Sequence, residues 1–447
     1  MEIKKGYTAA LLVFGIGMGL VNIFLMPPFM NPDEIQHFMF SADHAYNEAE
    51  LKELDRRVLQ TLKDHKWFHF IGVGPGWERI KKIKDIYFLN YFAREKRPVS
   101  KTYFHFIYGK ILKYSGIKDP LPGLYFLRMI SFLIYLGIFL LSYFFYKTYF
   151  PNHWIYLITG QLLILQLATI LNSVNYDVLL TLLGVLFFMV SYRFLVSDDK
   201  RSLFLLVLLS ALAALIKTGG LLFFIYFFIL LLFKYRIKRF FLKKFAFSLA
   251  VLVFVFCWFN YWFPERFYNL YTAIFVKLRA FTGVFARGDS IFNLHFFDSV
   301  MDSFYFHTGW MGFKLNTPLP WYLVLKVILL AALIGIVLSF WVRKLKTGSL
   351  EKKWYLYALV VFGLQLFSTW FYYGRGMMAQ GRYLYPVIIP VIMLIYCGLN
   401  KIERLFDFKK NYLLVFYIIF QAVFLIFALI RIVSVFYLEI ASPHPGL

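Results

Sequence analysis

Asp33, Glu34 and His37 stand together in "MPPFMNPDEIQHFMF" (residues 26–40), directly after the first long apolar run of the chain. Carboxylates and an imidazole are the groups that take and return protons in catalysis. On a helix Asp33 sits one turn from His37 on the same face, so Asp33 and Glu34 are the candidate catalytic acids or bases and His37 a candidate substrate ligand. Three later interruptions of apolar sequence carry further polar groups. "NSVNYD" holds Asn172, Asn175 and Asp177, "KTGG" holds Lys217, and "YGRGMMAQGRY" holds Arg375, Gln380, Arg382 and Tyr383. A guanidinium fork grips a phosphate bidentately, and flanking glycines let backbone N–H groups approach it. Asn175, Asp177, Lys217, Arg375, Gln380, Arg382 and Tyr383 are therefore candidate substrate-binding residues.

Each has a plainer reading. Asn31 followed by Pro32 and Glu34 has the spacing of an N-cap with a capping box, in which Glu34 serves only the backbone. Asn175 has the type and place to cap the following helix. Arg375 and Arg382 suit headgroup anchors and Lys217 a snorkelling side chain. Arg128, inside an apolar run, reads as a buried partner for a loop carboxylate. His65, His69, His105, His295 and His307 lack metal-ligand spacing, so no metal site is assigned and a divalent ion is not indicated.

The elements that must position these groups follow from composition. The chain has 447 residues, of which 61% are hydrophobic and 16% charged, against about 45–50% and about 25% in soluble domains. It requires lipid. The net charge of +24 lies mostly in short links between apolar runs, and no basic soluble domain is available to bind nucleic acid. Cys257 and Cys397 both sit in apolar runs, which excludes a disulfide scaffold.

About eleven runs are long enough to span a bilayer, near residues 7–26, 123–147, 154–171, 178–196, 203–216, 221–233, 245–263, 321–342, 354–373, 383–399 and 413–437. The fifth and sixth are short, and "KTGG" between them suggests a broken or re-entrant pair. The first is too long for a cleaved signal peptide. Basic links such as "KYRIKRFFLKK" and "RKLKTGSLEKK" alternate with links poor in positive charge, which places the N-terminus in the cytoplasm and the C-terminus outside. The expected organisation is all-α and polytopic. Residues 1–27 form the first span, 28–122 a large extracytoplasmic loop with interfacial helices, and 123–263 spans two to seven. Residues 264–320 form a second outer loop, and 321–447 the last four spans with an outer tail. Within the first loop, "NEAELKELDRRVLQTLKDH" reads as a polar surface helix and "YFHFIYGKILKYSG" as an amphipathic helix in the interface plane. On this threading all four polar clusters face one side, where charge at membrane depth is costly and usually functional.

The ordered set "NPDEIQHF", "YFHFIYGKILKYSGIKDPLPGLYFLRMISF", "NSVNYDVLLTLLGVLFF", "IKTGG", "GWMGFKLNTPLP" and "MAQGRYLYPVIIP" resembles the GT-C superfamily of membrane glycosyltransferases. It is most similar to a bacterial branch catalogued as a domain of unknown function, related to protein O-mannosyltransferases and lipid A aminoarabinose transferases. The resemblance covers nearly the whole chain. It implies a bacterial plasma-membrane enzyme that moves a sugar from a polyprenyl-phosphate donor to a glycan, lipid or protein acceptor at the extracytoplasmic face. Asp33 matches that family's general base, and Lys217, Arg375 and Arg382 match its donor-phosphate ligands. One departure concerns the acceptor side, where "RPVSKTYFHF" replaces a proline-rich "HPPLYY"-like segment. A flippase or transporter of lipid-linked sugars and a polysaccharide polymerase fit the same composition, as does a catalytically inactive member of the fold.

Overall fold

The computed structural model describes residues 2–70, 102–197, 199–235, 294–305, 319–340, 342, 349–373, 380–408 and 411–438. The described residues are helical, without strands. In chain order the helices are α1 (Glu2–Leu25), α2 (Glu34–Ala42), α3 (Glu48–Asp64), α4 (Trp67–Phe70), α5 (Tyr103–Ser115), α6 (Pro120–Tyr149), α7 (Trp154–Leu162), α8 (Leu165–Leu171), α9 (Asp177–Ser197), α10 (Lys200–Ile216), α11 (Leu222–Tyr235), α12 (Leu294–Tyr305), α13 (Leu319–Leu338), α14 (Ser349–Tyr373), α15 (Ile388–Leu405) and α16 (Tyr412–Phe436). Two 3-10 segments, Thr218–Leu221 and Gly381–Val387, lead into α11 and α15.

Among the described residues, seven helices are long and apolar enough to cross a membrane, and α7 with α8 makes an eighth if the pair, bent by 68°, is one span. The chain is thus an all-α polytopic membrane protein. The expected spans at 203–216 and 221–233 are the shorter helices α10 and α11. The chain turns between them at Thr218–Leu221, and α11 packs alongside α10. The expected span at 245–263 lies outside the described residues.

Packing sorts the spans into a core and a lipid-facing shell. Alpha-15 is buried along nearly its whole length, against α13, α14, α16, α7 and α9. Its seam with α13 is made of Ala332, Gly335 and Gly398, which let the backbones touch, as small residues do where lipid removes the hydrophobic drive for association. By contrast α1, α6, α13 and α16 expose Val13, Leu133, Val327 and Ile430 among other large apolar side chains, the surface acyl chains would cover.

Between α1 and α6 the described parts of the first loop form a helical cap. Alpha-3 is the expected surface helix, begun by a reciprocal capping box: Glu50 N–H donates to Asn47 Oδ1 at 3.0 Å and Asn47 N–H to Glu50 Oε2 at 3.1 Å. Its Leu54, Val58, Leu59 and Leu62 face inward. Alpha-5 is the expected amphipathic helix, burying Phe104, His105, Tyr108 and Leu112 against α2 and α6. Trp67 Nε1 donates to the carbonyl of Phe29 at 2.9 Å, tying α4 back to the exit of α1.

One contact sets the position of the Gly381–Val387 segment. A Cβ on Gly184 of α9 would lie 2.0 Å from the carbonyl oxygen of Pro386, whereas one on Gly137 of α6 would meet nothing. Gly184→Val is expected to cost about 1–3 kcal/mol by overpacking and to displace the segment carrying Arg382. Thermal unfolding in detergent checks this, with Gly137→Val as the control; equal melting temperatures for the two variants would contradict it.

Candidate functional site

Four elements meet at one end of the bundle: the α1–α2 turn, the start of α9, the end of α10 and the start of the Gly381–Val387 segment. They bring together Asp33, Asp177, Lys217 and Arg382. One Arg382 NH2 group donates to Asp33 Oδ2. Arg382 Nε lies 3.8 Å from Asp177 Oδ2, and Lys217 Nζ donates to Asp177 Oδ1 at 2.7 Å. The charges therefore alternate along a chain Asp33–Arg382–Asp177–Lys217. Asp33 and Lys217 are 21% and 17% exposed, against 4% for Arg382 and 2% for Asp177, so the cluster opens at its two ends and is closed in the middle.

Aromatic rings wall the cations. Lys217 Nζ lies 4.2 Å from the ring centroid of Tyr176 and 4.9 Å from that of Tyr383, and the Arg382 guanidinium 5.7 Å from Tyr383. Such contacts stabilise a partly desolvated cation by about 0.5–2 kcal/mol each. Even so, Arg382 Nε and NH1 and Asp177 Oδ2 make no hydrogen bond among the described residues.

The backbones that carry Arg382 and the two carboxylates are held from behind. Gly381 is pressed on Phe304 of α12, where a Cβ would come within 2.4 Å of Phe304, and its N–H donates to Ser303 Oγ at 2.5 Å. Gln365 of α14 donates to the Tyr383 carbonyl at 2.7 Å, and Tyr385 Oη to Gln166 of α8 at 2.7 Å. Gln380 precedes this segment, its carbonyl accepting from Tyr383 N–H at 3.2 Å. Asn175 does more than cap α9: its Oδ1 accepts from Asp177 N–H at 2.9 Å while its Nδ2 donates to the Pro32 carbonyl at 3.1 Å. One side chain thus fixes the backbones that carry both carboxylates. Arg375 lies outside the described residues, as do His307 and Cys257.

Glu34 has a different occupation. The capping box expected at Asn31–Glu34 does not form. Alpha-2 begins at Glu34 itself, with Asp33 as N-cap in the left-handed region (φ 59°) and no side-chain cap bond. The reason is a stronger partner: Arg128 of α6, fully buried, donates from Nε to Glu34 Oε1 at 2.9 Å and from NH2 to Oε2 at 2.6 Å. Its other N–H groups reach the carbonyls of Ile23 and Met26 at 2.8 Å and of Pro27 at 3.1 Å, which closes the end of α1. Glu34 also accepts from Val174 N–H at 3.2 Å and from Asn31 Nδ2 at 3.3 Å. The paired carboxylate expected for Arg128 is Glu34, whose oxygens are fully engaged, so that of the two adjacent carboxylates Asp33 is the one that faces the charged cluster.

His37 is buried one turn from Asp33, its ring 4.3 Å from that of Tyr176 and its Nδ1 2.8 Å from Nε2 of His105. Tyr176 and His105 join the candidate residues through the fold, whereas Arg128 is marked in the sequence and gains its partner from the fold. Tyr176 has no distinguishing mark inside "NSVNYD", and His105 stands among the scattered histidines without metal-ligand spacing. Among the described residues no three His, Cys, Asp or Glu side chains gather as a metal site. No protein-family model, curated protein or solved structure matches the chain.

This geometry has two measurable consequences. Removing either partner of the buried pair, by Arg128→Met or Glu34→Gln, is expected to cost about 3–5 kcal/mol. The double variant should lose less than the sum, since both singles break one contact; strict additivity in thermal unfolding would show that the two side chains act independently. The second consequence concerns pH. Burial first, then the positive charges of Arg382 and Lys217, hold the His37 pKa below its usual 6.5. The unfolded chain binds this proton where the fold excludes it, so the contribution of His37 is complete above about pH 6.5 and is lost as pH falls towards the lower folded value. Melting temperature followed from about pH 7.5 to about pH 5 should decline less steeply in His37→Gln than in the native chain; identical slopes would exclude this titration.

Proposed function

We propose that this protein is a GT-C-type membrane glycosyltransferase that moves a sugar from a polyprenyl-phosphate donor to a cell-envelope glycan, lipid or protein acceptor. In this reading the chain has about eleven spans, and the charged end of the bundle faces away from the cytoplasm, as the distribution of basic links directs. The single observation that carries the proposal is the meeting of Asp33 with Arg382, Asp177 and Lys217, brought from four distant segments to the ends of helices.

The chemistry that fits is an inverting displacement. The acceptor hydroxyl or amine attacks C1 of the sugar, its proton passes to the Asp33 carboxylate, and the bond from C1 to the phosphate oxygen breaks. The polyprenyl phosphate leaves with the electron pair of that bond. Arg382 and Lys217 offer fixed positive charge where negative charge grows, and a carboxylate is a competent base for the acceptor proton. Asp177, between the two cations, keeps both oriented. Tyr176 and Tyr383 supply aromatic faces beside the cations, suited to a sugar ring or isoprenoid carbons.

A flippase would carry its substrate through the bilayer and favours charges near the midplane. These four charges lie instead at helix termini, where a lipid headgroup and a water-borne acceptor can meet.

Purified protein given a labelled polyprenyl-phosphate sugar and candidate acceptors tests the proposal. Asp33→Asn is expected to lower turnover about 10²–10⁴-fold while leaving donor binding in place. Arg382→Lys is expected to weaken donor binding about ten- to a hundredfold, through loss of charge-assisted bonds. Full activity of Asp33→Asn removes Asp33 as the base, and movement of lipid-linked sugar without covalent product replaces the reading with transport.

A further inference from the structure

His37 and His105 are joined in a way that fixes where their protons lie. Thr102 is the N-cap of α5 and His105 its third residue, and the Thr102 N–H donates to His105 Nδ1 at 2.9 Å. A backbone N–H only donates, so His105 Nδ1 carries no proton, and the neutral ring bears it on Nε2. That Nε2 lies 2.8 Å from His37 Nδ1, which must then accept, leaving the His37 proton on its own Nε2. Both rings are buried. His37 Nε2 makes no hydrogen bond among the described residues. The Tyr176 ring lies 4.3 Å from that of His37 and 4.2 Å from Lys217 Nζ, and Arg382 holds Asp33, one turn away from His37. A buried donor without an acceptor costs about 1–3 kcal/mol, and such a group calls for an explanation in function.

We propose that Thr102, His105 and His37 form a hydrogen-bond relay that presents His37 Nε2–H as a fixed donor to an oxygen of the molecule bound beside Arg382 and Lys217. That oxygen belongs either to the phosphate or to a sugar hydroxyl of the lipid-linked donor. The identity of the ligand rests on the glycosyltransferase reading, while the tautomer does not. His37 touches the ligand, and His105 is a positioning residue that acts through it. The low proton affinity of His37 beside two cations agrees with a neutral ring, which donates one bond in one direction where an imidazolium would add a third positive charge.

Two measurements test this separately. Nitrogen-15 NMR of histidine-labelled protein in liposomes reads the tautomer directly, with nine histidines in the chain and His37 assigned by its loss in His37→Gln. The expected signal at neutral pH is a neutral, Nε2-protonated His37 that changes to a mixed tautomer in His105→Leu. An Nδ1-protonated or doubly protonated His37, or no change in His105→Leu, overturns the relay. The second measurement is binding of polyprenyl monophosphate and of its sugar-bearing form. His37→Leu should weaken at least one about tenfold or more, and His37→Gln, whose amide keeps an N–H, should recover part of the loss. Loss for both lipids assigns the oxygen to phosphate, and loss for the sugar form alone assigns it to a hydroxyl. Equal affinity of native and His37→Leu protein for both lipids overturns the donor role. Should the native protein bind neither lipid, the glycosyltransferase reading fails, and the NMR result still decides the relay.

Discussion

The buried guanidinium of Arg128 is the constraint on which the rest of the site depends. An unpaired cation at this position, without water, would be too costly to keep, so its donors have to be met. The chain meets all five: two on Glu34 and three on the carbonyls that end α1. The Ile23 carbonyl belongs to the last turn of α1, where carbonyls lack helical partners and the dipole favours a cation; those of Met26 and Pro27 follow it, the latter also accepting from Met30 N–H. One side chain therefore closes α1, starts α2 and, through Val174 N–H on Glu34, holds the loop that precedes α9. Asp33 is left with little freedom. Its right-hand neighbour is clamped, and its own backbone is turned into the left-handed region (φ 59°), a conformation Asp tolerates better than most residues and one that surrounding structure must over-determine. In this conformation its carboxylate meets Arg382.

Helix ends explain how the other three charges are kept. Asp177 opens α9 and Lys217 closes α10, so each sits at the dipole end of opposite sign. Arg382 stands at the start of a helical segment, where the dipole works against a cation. Two carboxylates flank it, which offsets that disadvantage and the loss of hydration together. The arrangement is neutral overall, yet any single neutralising substitution leaves an excess charge in a dry place. The cluster is accordingly interdependent, and effects of substitutions within it will not add.

Much of this assembly is legible in the chain and some of it is not, for identifiable reasons. Alternation of apolar runs and basic links leads to the expectation that the segments of Asp33, Asp177, Lys217 and Arg382 share one end, and the four side chains do meet. Partners across the fold are another matter. Glu34 has a plausible local partner in Asn31, and nothing local reveals that Arg128, 94 residues away, outcompetes the helix cap. The break between α7 and α8 is similarly hidden. "QLLILQLATIL" has neither Gly nor Pro, and it bends where Gln166 and Thr169 are drawn to Tyr385 and Asn22. Thr102 and His105 do carry a local signal, the spacing of a capping box with His in the place of Glu, but its meaning depends on His37 being opposite.

The contact between Asp33 and Arg382 also bears on the order of events in the proposed reaction. In the structure the Asp33 carboxylate is engaged with the guanidinium rather than with an acceptor. Arg382 is the natural ligand for an incoming phosphate, which matches its fork better than a single carboxylate oxygen does. Arrival of the donor would draw Arg382 towards the phosphate and release Asp33 at the moment an acceptor can use it. Asp177 would retain its hold on Lys217 throughout, so the grip stays assembled while one pair exchanges. In that scheme donor binding would precede the attack, and the carboxylate would be freed only once a sugar is in place to receive it.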